Sequence, residues 1–186
     1  MARTPTRTAP YSRSRTPATA IDRSTPAELS DAVDAVRRLV RGLRLAEHRV
    51  RSTTGLSAAQ LFVLGQLRDT DAASLTELAD RTFTDRSSVT AVVERLERDG
   101  LVRTERDPRD RRRLVVRITA AGGRRLASAP QPPTVHLLAA LRRLSSREVH
   151  ALTAHLVALL DAMGLADEPA TMLFEEDGGR TRRSRS

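Results

Sequence analysis

Between residues 25 and 164 the apolar positions recur at helical spacing, and four short polar signatures mark where the helices begin. In a capping box, a Ser or Thr and a Glu or Gln three residues later satisfy each other's free backbone donors. Thr25-Pro26-Ala27-Glu28, Ser57-Ala58-Ala59-Gln60, Ser74-Leu75-Thr76-Glu77 and Ser145-Ser146-Arg147-Glu148 all have this form. Each opens a run of helix-period apolar residues. The first run, about Pro26 to Arg51, places Leu29, Val33, Val36, Val40 and Leu43 at alternating spacings of four and three, a narrow coiled-coil seam. The last, about Ser146 to Met163, carries Val149, Leu152, Leu156, Leu159 and Leu160. Such seams serve either the chain's own core or an interface between two copies; their position at both ends of a central region favours the interface.

The central region, residues 57–119, predicts a helix from Ser57 to about Arg68, a short one from Ser74 to about Arg81, and a tight turn at Thr82-Phe83-Thr84. A longer helix follows, about Asp85 to Asp99, with Val89, Val92, Val93 and Leu96 on one stripe and Gly100 placed for a left-handed cap. Leu101–Arg106 and Leu114–Thr119 then read as strands around a turn rich in Arg, which makes a hairpin with a basic tip. Beyond it, Ser128-Ala129-Pro130-Gln131-Pro132-Pro133 should break a helix into pieces at about Ala120–Ala127 and Thr134–Arg143.

Composition changes the picture in three ways. Aromatic residues are only 2% of the 186, so the core must be built from Leu, Val and Ala. The net charge is +9, and all 32 basic residues are Arg. Guanidinium forks suit phosphate and guanine, although a GC-rich genome gives the same bias. Residues 1–24 read as a disordered basic tail, and 165–186 as a second disordered tail. The first 25 residues carry five Arg against one Asp, and the last 22 carry four Arg against five acids. An excess of positive charge therefore stays with the folded middle.

The absence of Cys excludes disulfide and thiolate chemistry. No apolar run is long enough for a membrane span or a secretory signal, so the expectation is a soluble, cytoplasmic chain. His48, His136, His150 and His155 have no metal-ligand spacing, and no nucleophile–base pair or phosphate loop stands out. We expect no enzyme, no cofactor and no metal site.

The candidate chemistry lies in the 85–99 helix and the hairpin. Near the helix N-terminus, Arg86, Ser87, Ser88, Thr90 and Ala91 are small or hydrogen-bonding, as a helix entering the major groove requires; an ordinary solvated face would look similar. The hairpin beside it carries seven Arg and three acids between Leu101 and Thr119. Its tip, Arg109-Asp110-Arg111-Arg112, can reach phosphates or a narrow minor groove.

These residues resemble the MarR family of winged helix-turn-helix regulators. Leu56-Ser57, Gln60-Leu61, Leu75, Leu78-Ala79, the run Ser88-Val89-Thr90 through Val93-Glu94-Arg95-Leu96-Glu97 to Gly100-Leu101-Val102, and Arg106-Asp107-Pro108 with Asp110-Arg111-Arg112 follow the family's order. The resemblance covers about Pro26 to Gly164. It implies a mainly α fold with a small β-hairpin wing: an N-terminal dimerisation helix and linker over 25–56, the winged domain over 57–119, and C-terminal dimerisation helices over 120–164. It also implies a homodimer on double-stranded DNA, mostly as a repressor. Arg86, Ser87, Ser88, Thr90 and Ala91 would lie nearest the base edges and Arg112 in the minor groove, steadied by Asp110. Arg109 and Arg111 would meet phosphates, and Arg95 would be structural. The family's small-molecule effector pocket would fall where the proline-rich break alters the helices. Half-sites would lie about one helical turn, roughly 10 bp, apart. A non-specific architectural DNA binder and a helical protein-interaction module are the alternative expectations.

Overall fold

The computed structural model describes residues 24–70, 72–107 and 110–175. The chain divides into two units, residues 1–38 and 39–186. Helix α1, Pro26–Thr54, begins in the first and ends in the second. In the first unit the Thr25 box is formed: the Thr25 N–H donates to Glu28 Oε2 at 2.6 Å, and the Glu28 N–H to Thr25 Oγ1 at 3.3 Å.

The second unit is built around α2, Ala58–Arg68, on which every residue from Ala58 to Leu64 is buried. A helix apolar on all sides belongs at the centre of a fold. Ser57 and Gln60 cap it reciprocally, and Glu47 Oε2 from α1 accepts the Ala58 N–H at 2.9 Å. Helices α3, Leu75–Thr82, and α4, Arg86–Arg98, pack beside it. Strands β1, Val102–Arg106, and β2, Leu114–Ile118, form an antiparallel hairpin in which Val102 faces Ile118 and Arg106 faces Leu114. Ala73, just before α3, adds a two-bond bridge to Val116 (3.1 and 2.8 Å). This is a winged helix-turn-helix.

Helix α5, Ala120–Ala127, then the proline break, α6, Pro133–Leu141, and α7, Ser146–Ala162, complete the chain. The break falls where three prolines remove N–H donors and restrict the preceding residues. Helix α7 has its capping box but no buried residue at all. The α1 seam is also uncovered: Leu29, Val33, Val36 and Val40 are 38–55% exposed.

One expectation is corrected. The disordered tail expected over 165–186 does not begin at Leu165. Met172 is only 4% exposed and belongs to the main apolar cluster, and Pro169 and Ala170 line an open cavity of about 650 Å³ with Ala79, Asp80, Phe83, Thr84 and Asp85. A lone buried Met in polar sequence gives no periodic signal. Residues 176–186, like the basic tail 1–23, lie outside the described residues.

Candidate nucleic-acid interface

Asp85 starts the helix that matters. It is the N-cap of α4, and its carboxylate accepts the Ser88 N–H and the Ser88 hydroxyl, both at 2.9 Å, and the Ser87 hydroxyl. Those donors, the Ser87 hydroxyl foremost, hold the Asp85 carboxyl well below the usual carboxylate range. Four residues of α4 anchor its other face: Val89, Val92 and Leu96 are fully buried and Val93 is 4% exposed. Gly100, at φ +69°, ends the helix; the Leu101 N–H reaches Leu96 O at 2.9 Å and turns the chain into β1.

Four of the five expected reading residues share one surface. Arg86, Ser87, Thr90 and Ala91 line a shallow open depression with Glu94. The fifth, Ser88, does not join them. It is 3% exposed and turned toward Asp85 and the core. Its place is set by helix geometry: Ser88 precedes Val92 by four residues and so shares the buried stripe. Ser88 therefore does not face outward with the other four, and its hydroxyl serves the helix cap. On the open face the Ser87 proton goes to Asp85, and the Thr90 hydroxyl donates to Arg86 O at 2.7 Å. In the free protein both hydroxyls thus present acceptor lone pairs outward.

The wing is a braced hairpin. Arg103 and Arg117 stand directly opposite each other, a repulsive pairing. Glu105 offsets it by bridging both, with Arg103 Nε at 3.2 Å and Arg117 Nε in a shorter contact. At the tip, Asp110 Oδ1 accepts the Arg112 backbone N–H at 3.0 Å, so Asp110 holds Arg112 through the main chain. Arg106 Nη1 donates to Arg111 O at 2.7 Å. Asp110, Arg111 and Arg112 are exposed, whereas Arg109 lies outside the described residues. Arg95 is half-buried on α4.

Sequence reasoning missed Glu77. Its Oε2 caps α3 by accepting the Ser74 N–H at 2.7 Å and hydroxyl at 2.9 Å, and its Oε1 pairs with Arg113 Nη2 on the wing at 3.0 Å. The Ser74 donors first, then the Arg113 guanidinium, bring the Glu77 carboxyl down to about 2. The box was legible; the second partner, 36 residues away, carried no local signal.

A pH dependence follows. A carboxyl whose folded pKa is depressed stabilises the fold fully above its unfolded value and loses that contribution as pH falls toward its folded one. For Glu77 the window runs from the ordinary value of 4.5 down to about 2. Glu77→Gln removes the titration and leaves a capping residue. The stability difference between wild type and Glu77→Gln, measured by denaturant melts, should be constant above pH 5 and shrink steadily below it. A difference that grows on acidification would contradict the assignment.

Among the described residues no group of His, Cys, Asp or Glu could hold a metal ion, and no helix is long and apolar enough to cross a membrane.

Comparison with known proteins places this geometry. Residues 54–113, from the end of α1 to the last arginine of the wing tip, match the model of the MarR family. The HTH-type transcriptional repressor NicR of Pseudomonas putida is 37% identical over 67 residues, 36% of this chain and 42% of the relative. The HTH-type transcriptional regulator YcgE of Bacillus subtilis, itself uncharacterised, is 35% identical over 85 residues, 46% of this chain and 55% of the relative. The chain thus spans about half the length of these curated relatives. Sco3205, a MarR family transcriptional regulator from Streptomyces coelicolor solved in complex with DNA, superposes with a TM-score of 0.52 at 20% identity, covering 80% of this chain and 98% of that one. That likeness is one of fold. Over residues 54–113 the helix-turn-helix and wing are thus similar to the MarR family in sequence, and the fold is that of its winged-helix structures.

Proposed function

We propose that the chain is a sequence-specific transcriptional regulator that binds duplex DNA as a homodimer, in the manner of a repressor. The observation that carries this is the outward face of α4. Arg86, Ser87, Thr90 and Ala91 share one open depression, at the helix end whose backbone donors favour phosphate. A helix held by four apolar residues and offering short polar groups at that end fits the major groove. The exposed Arg111 and Arg112 of the wing suit phosphate and minor groove respectively. Two uncovered apolar helices, α1 and α7, support a second copy of the chain as partner. The role is binding, not catalysis, and the cytoplasm is where such a regulator meets DNA. A small-molecule effector at the proline break fits as well. Thr134, 7% exposed at the start of α6, has a hydroxyl with no hydrogen-bond partner.

Selection of sites from a random duplex pool at near-physiological salt tests the reading. Enrichment of an inverted repeat with half-sites about one turn apart is expected. Binding without enrichment would replace the regulator by an architectural protein, and no binding would leave a protein-interaction module.

The wing has its own test. Arg112→Ala should weaken binding to the selected site by about 1–3 kcal/mol, roughly 5- to 150-fold, with the dimer intact. Unchanged affinity in a fluorescence anisotropy titration would remove the wing from DNA recognition.

A further inference from the structure

Besides its buried Val102 and Val116 and the Thr104 N–H bond to Glu97 Oε1 of α4 at 2.7 Å, the wing is joined to the α3 segment at two places, on β2 and just before it. The inner one is the backbone bridge between Ala73 and Val116. The outer one lies three residues nearer the tip, where the Arg113 guanidinium reaches Glu77 Oε1 at 3.0 Å. The Ala73 bridge and the Thr104–Glu97 bond hold the base of the hairpin; the Arg113 contact lies nearer the tip, where it limits bending of the hairpin about that base. Both attachments lead to α3: Ala73 immediately precedes its N-cap Ser74, and Glu77 is the third residue of the helix.

Arg113 is also tied into the tip by its main chain. Its N–H donates to Asp110 O at 2.9 Å, and its carbonyl accepts the Asp107 N–H at 2.9 Å. Asp110 in turn holds the Arg112 N–H. A continuous chain of contacts therefore runs from the capping box of α3, through Arg113 and Asp110, to the backbone of Arg112. Glu77 is suited to start it, because one carboxylate oxygen serves Ser74 and the other remains for the wing.

We propose that Glu77 and Arg113 form a positioning pair that sets the angle of the wing against α4, and so places Arg112 for its contact with DNA. This rests on the DNA-binding function proposed above. The pair is half-exposed, 45% and 47%, so it adds little to stability. Its effect lies in orientation, at the end of the hairpin that has no other attachment to α3 described above.

The sign of the effect separates orientation from charge. Glu77 is negative and lies on the DNA-binding domain, so by electrostatics alone its removal should strengthen binding. Glu77→Gln keeps a capping residue at the third helical position and gives up the ion pair. If the pair positions the wing, Glu77→Gln weakens binding to the selected operator about three- to fivefold. The same substitution placed on Arg112→Ala then has no further effect, since the side chain being positioned is gone. Ser74→Ala, which removes the hydroxyl of the capping box and spares the Arg113 contact, should lower the melting temperature without this Arg112-dependent loss.

Affinity for the four proteins of that cycle, with melting temperatures for each, decides the matter. Equal or tighter binding by Glu77→Gln overturns the proposal, as does an equal loss in both backgrounds, which would show an effect not routed through Arg112. If Arg112→Ala itself binds like wild type, the wing's role in the function proposed above fails, and the positioning role falls with it. A loss confined to the Arg112 background, and absent from Ser74→Ala at a comparable fall in melting temperature, establishes it.

Discussion

Gly122→Ala should destabilise the fold by about 3 kcal/mol or more, although every helix-propensity scale favours alanine there. Gly122 lies in the first turn of α5, where Gly costs about 1 kcal/mol relative to Ala. A Cβ on Gly122, however, would stand 2.1 Å from the Leu101 carbonyl oxygen and 2.9 Å from Ile118 Cγ1. The nearer atom is backbone and cannot swing aside. It is also in use: Leu101 O accepts the Thr119 N–H at 3.0 Å, and the Thr119 hydroxyl caps Gly122 N at 3.1 Å. Relieving the contact means separating α5 from the turn that joins α4 to the wing. Overpacking of this kind usually costs 1–3 kcal/mol, and more where backbone must move. The steric loss therefore exceeds the propensity gain. Gly123, next in sequence, is the internal control: a Cβ there meets nothing within 4 Å. Gly123→Ala should gain about 0.5–1 kcal/mol. Denaturant midpoints moving in opposite directions for the two variants are the expected result, and equal stability of the two would refute the contact.

The same pair of glycines shows where the sequence was legible and where it was not. Two adjacent glycines at the start of a helix look alike in a sequence; only the approach of Leu101, brought there by the Gly100 turn, separates them. Local chemistry carried far. All four capping boxes form, and the helices they open begin where the boxes place them. The proline break and the left-handed Gly100 also stand as expected, because each is dictated by a residue's own backbone. Periodicity identified the buried stripe of α4, and applied one position further it would have included Ser88. Glu77 with Arg113 and the burial of Met172 had no such signal. These contacts join residues far apart in sequence, through a strand pairing or a return of the chain that no local pattern encodes.

In the homodimer proposed above, breaking the apolar face of α7 should leave a monomer. Helix α7 is 17 residues long with no buried residue, and in proteins most helical stability comes from packing an apolar face. Its capping box contributes about 1 kcal/mol, too little to hold it. Leu152, Leu156, Leu159, Leu160 and Met163 are 38–61% exposed and recur at helical spacing as one stripe. In a twofold pair of chains every substitution counts twice. Leucines with about half their surface still to bury gain roughly 1 kcal/mol each, half of the full transfer value. Leu152→Glu with Leu156→Glu therefore removes about 4 kcal/mol from the dimer, near a thousandfold in its dissociation constant, before the cost of desolvating four carboxylates. Sedimentation equilibrium should show the wild type near twice the chain mass and the double variant near one. Far-ultraviolet circular dichroism should show helix lost along with the partner, since α7 would have nothing to pack on. Operator binding should weaken to that of a single half-site, because one reading helix and one wing would remain per complex. A double variant that keeps the dimer mass would show that α7 meets something other than its own copy, and the covering of that stripe would then have to be sought in a different partner.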